Sequence, residues 1–135
     1  MSKIKISNDL YRVYISTEEG WKTRVGHIAT INGLECSLIP EKADWGIRIV
    51  VSEISSGGLL YREWVDPFSY ASCNTKEKTL VLLQEVAENA ASFIDKYSIE
   101  FLNERIVESL EKMTELHGPM PKNKILLRED LVEEK

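Results

Sequence analysis

The sequence predicts an α+β fold: a five-stranded, mainly antiparallel sheet followed by a C-terminal pair of α-helices. Three observations carry that prediction. As far as Asp66, apolar and polar residues alternate with a period of two, the pattern of half-buried strands. The candidate strands are joined by stretches too short for a crossover, which makes neighbours antiparallel. From Asn74 onward the period lengthens to that of an amphipathic helix.

The elements follow in order. Leu10 to Ile15 reads as the first strand and is closed by the turn-forming Glu18-Glu19-Gly20. Trp21 to Ile31 is the second. It ends at Asn32-Gly33, whose two residues tolerate the positive φ of a type I′ hairpin. Leu34 to Ile39 returns as the third strand and stops at Pro40. Ile47 to Ile54 is the most β-branched run, and Ser55-Ser56-Gly57-Gly58 turns it into a fifth strand, Leu59 to Val65. Asp66-Pro67 ends the strands.

Asn74-Thr75-Lys76-Glu77 has the spacing of a capping box, with Asn74 as N-cap and Glu77 as its reciprocal partner. Behind it, Leu80, Leu83, Ala87, Ala90, Ile94 and Tyr97 form one stripe, and Leu82, Val86 and Phe93 a second, so this helix (about 75–97) is buried on more than one side. Ser98 caps a second helix (about 99–117) with Ile99, Leu102, Ile106, Leu110 and Met113 facing inward. Gly118-Pro119 is its stop. Residues 1–118 are expected to form one domain, because a helical pair alone cannot cover its own stripes. Residues 119–135 are expected to be a charged, loosely held tail, with Ile125, Leu126 and Leu127 able to dock.

Composition narrows the function. The 135 residues are 43% hydrophobic and 29% charged, which excludes disordered, collagenous and coiled-coil classes. No run approaches the ~20 apolar residues of a membrane span, and Met1 to Lys5 opens no signal-peptide core, so no membrane partner and a cytoplasmic location are expected. Cys36 and Cys73 are expected to be reduced thiols. Neither belongs to a Cys-x-x-Cys, and with His27 and His117 they do not give four ligands at the close spacing of a structural zinc site, so no metal or cofactor is expected. The formal charge of −5 argues against non-specific nucleic-acid binding. That charge is uneven: residues 1–66 carry 8 basic and 9 acidic side chains, residues 67–135 carry 9 and 13.

The strand half holds the sharpest constellation. Arg12 and Tyr14 alternate against Tyr11, Val13 and Ile15; Arg24 and Lys22 against Trp21, Thr23 and Val25; Arg48 against Ile47, Ile49 and Val51; Arg62 and Trp64 against Leu59 and Tyr61. Four strands thus each offer an arginine for one solvent-facing surface. Arg12, Arg24, Arg48 and Arg62, with Tyr14 and Trp64, are the candidate ligand-binding residues. Guanidinium forks pair with phosphate or carboxylate, and aromatic faces stack on flat rings. The plainer account is that antiparallel sheets often keep one wet face where arginine is an ordinary resident.

Other candidates weigh less. The Ser55–Gly58 turn precedes a strand, whereas a phosphate loop precedes a helix. His27 has no nucleophile or carboxylate at a telling spacing, and either cysteine joined to it makes only an inventory of a triad. His117 suits a helix C-terminus. Glu100, Glu104, Glu108, Glu111 and Glu115 recur along one helix as a solvated face does. No catalytic residue is assigned.

In organisation, with strands first and a helical pair second in a small acidic chain, the sequence is similar to compact phage-encoded or mobile-element accessory proteins. Some of these sequester nucleotide signals used in bacterial defence, and others block a host protein or neutralise a toxin. The likeness implies a binding role of anti-defence type. The expected function is therefore non-catalytic capture of an anionic, nucleotide-like small molecule on an arginine and aromatic sheet face. The alternatives are a protein-binding inhibitor or immunity-type module, whose acidic helical half meets a basic partner, and a small enzyme of unidentified chemistry. The doubly striped helix leaves room for a homo-oligomer.

Overall fold

A computed structural model describes residues 4–43, 46–121 and 125–127. The five predicted strands are present as β1 (Ile4–Thr17), β2 (Gly20–Ile31), β3 (Leu34–Ala43), β4 (Gly46–Glu53) and β5 (Leu59–Val65), each antiparallel to the next. The Asn32-Gly33 hairpin has the expected positive φ at both residues, 49° and 89°. A short β6 (Ile125–Leu127) returns from the tail and pairs with β1 at Leu10–Arg12, giving the order β5-β4-β3-β2-β1-β6. The tail is thus tied to the sheet at this point. Residues 122–124 and 128–135 lie outside the described residues.

β1 begins six residues before the predicted start. Ile4 and Ile6 pair with Ile31 and Ala29, but the register shifts before Leu10 pairs with His27. That irregularity breaks the alternation across Ser7–Asp9, which is why the period-two pattern surfaces only from Leu10.

Three helices follow. The unanticipated α1 (Pro67–Ala71) starts where Asp66 accepts a hydrogen bond from the Phe68 amide and Pro67 occupies the first turn. α2 spans Lys76–Ile94. Its N-cap is Thr75, whose side chain accepts from the Lys78 amide at 3.2 Å, so the expected Asn74–Glu77 box does not form; Asn74 instead accepts from Lys78 Nζ at 3.3 Å. α3 (Ile99–His117) has the expected Ser98 cap, accepting from Phe101 N at 3.0 Å, and ends at Gly118. Among the described residues no helix is long and apolar enough to cross a membrane.

Both faces of the sheet carry buried residues. On one, Ala29, Ile31, Leu34, Cys36, Leu38, Ile49, Val51 and Val65 pack against Leu83, Val86, Ala87, Ala90, Ala91 and Ile94 of α2 and Leu102 of α3. The alanines bring α2 close to the strands. On the other, Val13, Ile15, Ile28, Ile39, Val50 and Ile54 form a second cluster that contains no helical residue. What covers it is the sheet itself. The amide of Ser16 on β1 donates to the carbonyl of Gly57, beyond β4, at 2.9 Å. In a flat sheet, β1 and β4 stand three spacings apart, about 14 Å. The sheet is therefore rolled into a partly closed barrel with the second cluster on its concave side.

Candidate functional site

Residues paired across antiparallel strands point to the same side of the sheet. Val13 pairs with Arg24, Glu41 with Arg48, Arg48 with Trp64 and Val50 with Arg62. Arg24 Nε lies 3.9 Å from Glu41 Oε2, which joins β2 to β3 in the same row. Arg24, Arg48, Arg62 and Trp64 therefore share the concave face. Arg12 pairs with Val25 and Tyr14 with Thr23, which places both on the opposite face. The six residues expected to form one surface are thus divided four to two. Alternation fixes the phase within each strand but not between strands, and the β1–β2 register sets Val13, not Arg12, beside Arg24.

The row Arg24–Glu41–Arg48–Trp64 crosses four adjacent strands. Arg48 Nε donates to Glu41 Oε1 at 3.1 Å, and Nη2 lies 3.0 Å from the same oxygen as an ion pair. The other carboxylate oxygen faces Arg24. The three side chains are 39% (Arg24), 21% (Glu41) and 31% (Arg48) exposed, so the network is partly desolvated and held in place. On its far side, the Arg48 guanidinium lies 5.9 Å from the centroid of the Trp64 ring, within cation–π range. Gly46, two residues before Arg48, completes the bed: a Cβ there would lie 3.5 Å from Trp64 Cε3, so the indole rests over bare backbone. Half of Trp64 (51%) stays exposed. Arg62 is exposed on the same face and makes no ion pair among the described residues. Arg24 and Arg48 flank Glu41, and with the exposed Arg62 they make this part of the concave face locally cationic.

Sequence reasoning missed Glu41 because the third strand was expected to stop at Pro40. β3 runs on to Ala43. Pro40 lies beyond the last β2–β3 pair, His27–Leu38, an edge-like position where a missing N–H is tolerated.

On the opposite face, Arg12 Nε is buried without a hydrogen-bond partner among the described residues, in the part of β1 that β6 flanks. His27 is buried and its Nδ1 lies 2.9 Å from the Ser7 carbonyl. A carbonyl only accepts, so Nδ1 carries the proton, and the bond pins the irregular segment of β1. Cys36 is fully buried; burial foremost, then the charges of Glu53 and Glu35, push its thiol up to about 12. It is a protonated packing residue, not a nucleophile. Cys73 is half-buried beside α2, at a shallow cavity of about 340 Å³ lined by Lys78, Val81 and Leu82 among others. Cys36 and Cys73 are not joined in a disulfide. The five α3 glutamates named above are all exposed.

The Ser55–Gly58 turn is a hairpin connection whose donors are already used. The buried Glu53 carboxylate accepts from Ser55 N, Ser55 Oγ, Ser56 N and Ser56 Oγ at 2.7–2.8 Å. An internal carboxylate therefore occupies the place an external anion would need.

Comparison of the chain with protein-family models, with curated proteins and with solved structures gave no match. The geometry of the chain itself carries the functional reading.

Proposed function

We propose that this chain is a non-catalytic binding protein that captures a small anionic ligand bearing a planar ring on the concave sheet face. The observation that carries this reading is Arg48 held between the Glu41 carboxylate and the Trp64 ring. Arginine so fixed loses little freedom when an anion arrives, and a half-exposed indole beside it offers a stacking surface. Curved sheets and barrel mouths are common places for such ligands. Arg24 and Arg62 add charge on the two flanks.

Thermal-shift and calorimetric titration with nucleoside phosphates and aromatic carboxylates test it. At least one of these raises the melting temperature of the wild-type chain. The shift is lost in Trp64→Ala and weakened in Arg24→Ala, and it persists in Arg12→Ala, whose side chain is on the other face. No shift with any of these probes, or equal loss in Arg12→Ala, overturns the reading.

A second reading, a protein-binding module, is favoured by one observation. Tyr61, Phe93, Tyr97 and Phe101 form a run of ring contacts at 5.5–5.7 Å from β5 across α2 to α3, and Tyr97 and Phe101 remain 43% and 45% exposed next to the acidic α3 face. Aromatic residues are enriched at protein interfaces, and acidic charge steers a basic partner. Recovery of one basic protein, lost on reversing Glu100, Glu104 and Glu108 and retained in Trp64→Ala, would support it.

A further inference from the structure

We infer that the concave site is selective for a ring bearing a single phosphate, the nucleoside monophosphate class, and that Glu41 is the residue that excludes polyphosphates and single-stranded nucleic acid. The inference rests on the binding reading above and specifies its ligand.

Trp64 and Arg62 lie on β5, beside the Arg48–Glu41 pair. Trp64 and Arg62 are two residues apart on β5 and on the same face, hence about 7 Å apart along the strand. That separation matches a base stacked on the indole with its 5′-phosphate on the Arg62 fork. Among the described residues Arg62 has no carboxylate to displace, whereas Arg48 already gives Nε to Glu41 and holds Nη2 against the same carboxylate. The half-exposed Trp64 ring accepts one base, and Arg62, without an ion pair among the described residues, accepts one phosphate.

The remaining cations do not extend this site into a polyphosphate cradle. From Trp64 to Arg24 the row crosses about 14 Å, and the Glu41 carboxylate stands between Arg48 and Arg24. A phosphate chain laid along the row meets that negative charge in a partly desolvated setting, where like-charge repulsion is felt more strongly than in water. A strand of nucleic acid faces the same barrier, and among the described residues this row offers it the single ring of Trp64.

Calorimetric titration of the full chain with adenosine, AMP, ATP and a short oligodeoxythymidine tests the inference. AMP is expected to bind about tenfold tighter than adenosine, as one charge-assisted contact requires, and tighter than ATP or the oligonucleotide. Arg62→Ala removes the difference between AMP and adenosine. Glu41→Gln, which keeps the side-chain shape and an amide oxygen for Arg48, narrows or reverses the preference for AMP over ATP; circular dichroism verifies its fold. ATP or the oligonucleotide binding more tightly than AMP to the wild type overturns the inference and leaves the binding reading standing. So does an unchanged AMP-to-ATP ratio in a folded Glu41→Gln. Absence of binding by all four probes overturns the inference, and if aromatic carboxylates also fail to bind, the binding reading falls with it.

Discussion

The carbonyl oxygen of Gly57 accepts two hydrogen bonds from Ser16, from its amide at 2.9 Å and from its hydroxyl at 3.2 Å. This contact ties the β4–β5 turn to β1, three positions away in the sheet, and so fixes the curvature that gives the candidate site its shape. Gly57 is at φ +67°, and an added Cβ would lie 2.9 Å from Ile15 Cα and from Ser16 N. Those neighbours are backbone and cannot turn aside.

Gly57→Ala is therefore expected to destabilise the chain by about 3 kcal/mol or more, combining left-handed strain with the clash. Gly33→Ala, also at positive φ but with nothing within 4 Å of the new Cβ, is the control and should cost only about 1 kcal/mol. Urea unfolding of the two variants measures the difference. Equal losses would show that the turn does not press on β1.

Glu53 holds the same turn from within. Glu53→Gln keeps the size but sets an NH2 group against donors from Ser55 and Ser56, and is expected to cost about 1–3 kcal/mol. Ser55→Ala, exposed and removing one of several bonds, should cost less. Chemical denaturation ranks them, and the reverse order contradicts this account of the turn.

Cys36 makes two measurable statements. In the native chain a thiol reagent should titrate Cys73 alone, with Cys36 reacting only in denaturant. The second concerns pH. The folded chain keeps the Cys36 proton up to about pH 12, whereas the unfolded thiol releases it from its ordinary value of 9.0. The unfolded state then binds fewer protons, so this contribution is intact below pH 9 and is lost at about 1.4 kcal/mol per pH unit as pH rises above it. Tyr61, raised by burial first, then by the Glu63 charge and its bond to Glu63, acts in the same direction. The wild type should therefore lose stability with rising pH more steeply than Cys36→Ala, and parallel slopes would contradict the assignment.

His27 supplies a further test. Its Nδ1–H bond to Ser7 holds an irregular stretch of β1, so His27→Ala should cost about 1–3 kcal/mol and accelerate amide exchange around Ser7–Leu10. Unchanged exchange there would show that the bond does not hold the segment.

Much of the fold is legible in local pattern. Alternation gives five strands, Asn32-Gly33 gives a hairpin, and Ser98 with Gly118 brackets α3. The missed parts depend on tertiary context. α1 is five residues long and leaves too short a period to read, and Asn74 and Thr75 are both acceptable caps that only the path of the chain separates. The site divides in the same way. Each arginine's partners within its strand are readable, but whether Arg12 joins Arg24 depends on the β1–β2 register, which no alternation encodes. Glu41 was hidden behind Pro40. The rolling of the sheet was hidden because Gly57 and Glu53 act on groups far away in sequence.

Because the row is ionic and only partly buried, ligand affinity should fall as salt rises from about 0.05 to 0.5 M, as screening of exposed charge requires. Affinity independent of salt would mean that stacking on Trp64 alone holds the ligand.

The most direct measurement is a nitrogen–proton correlation spectrum of the labelled chain during titration with AMP. Trp21, whose indole N–H donates to the Gly118 carbonyl, is an internal control off the concave face. The account predicts that the Trp64 indole signal and the side-chain signals of Arg62 and Arg48 shift together and saturate, while those of Trp21 and Arg12 stay in place. Shifts confined to Arg12 or to the acidic face of α3, with Trp64 unmoved, would contradict it.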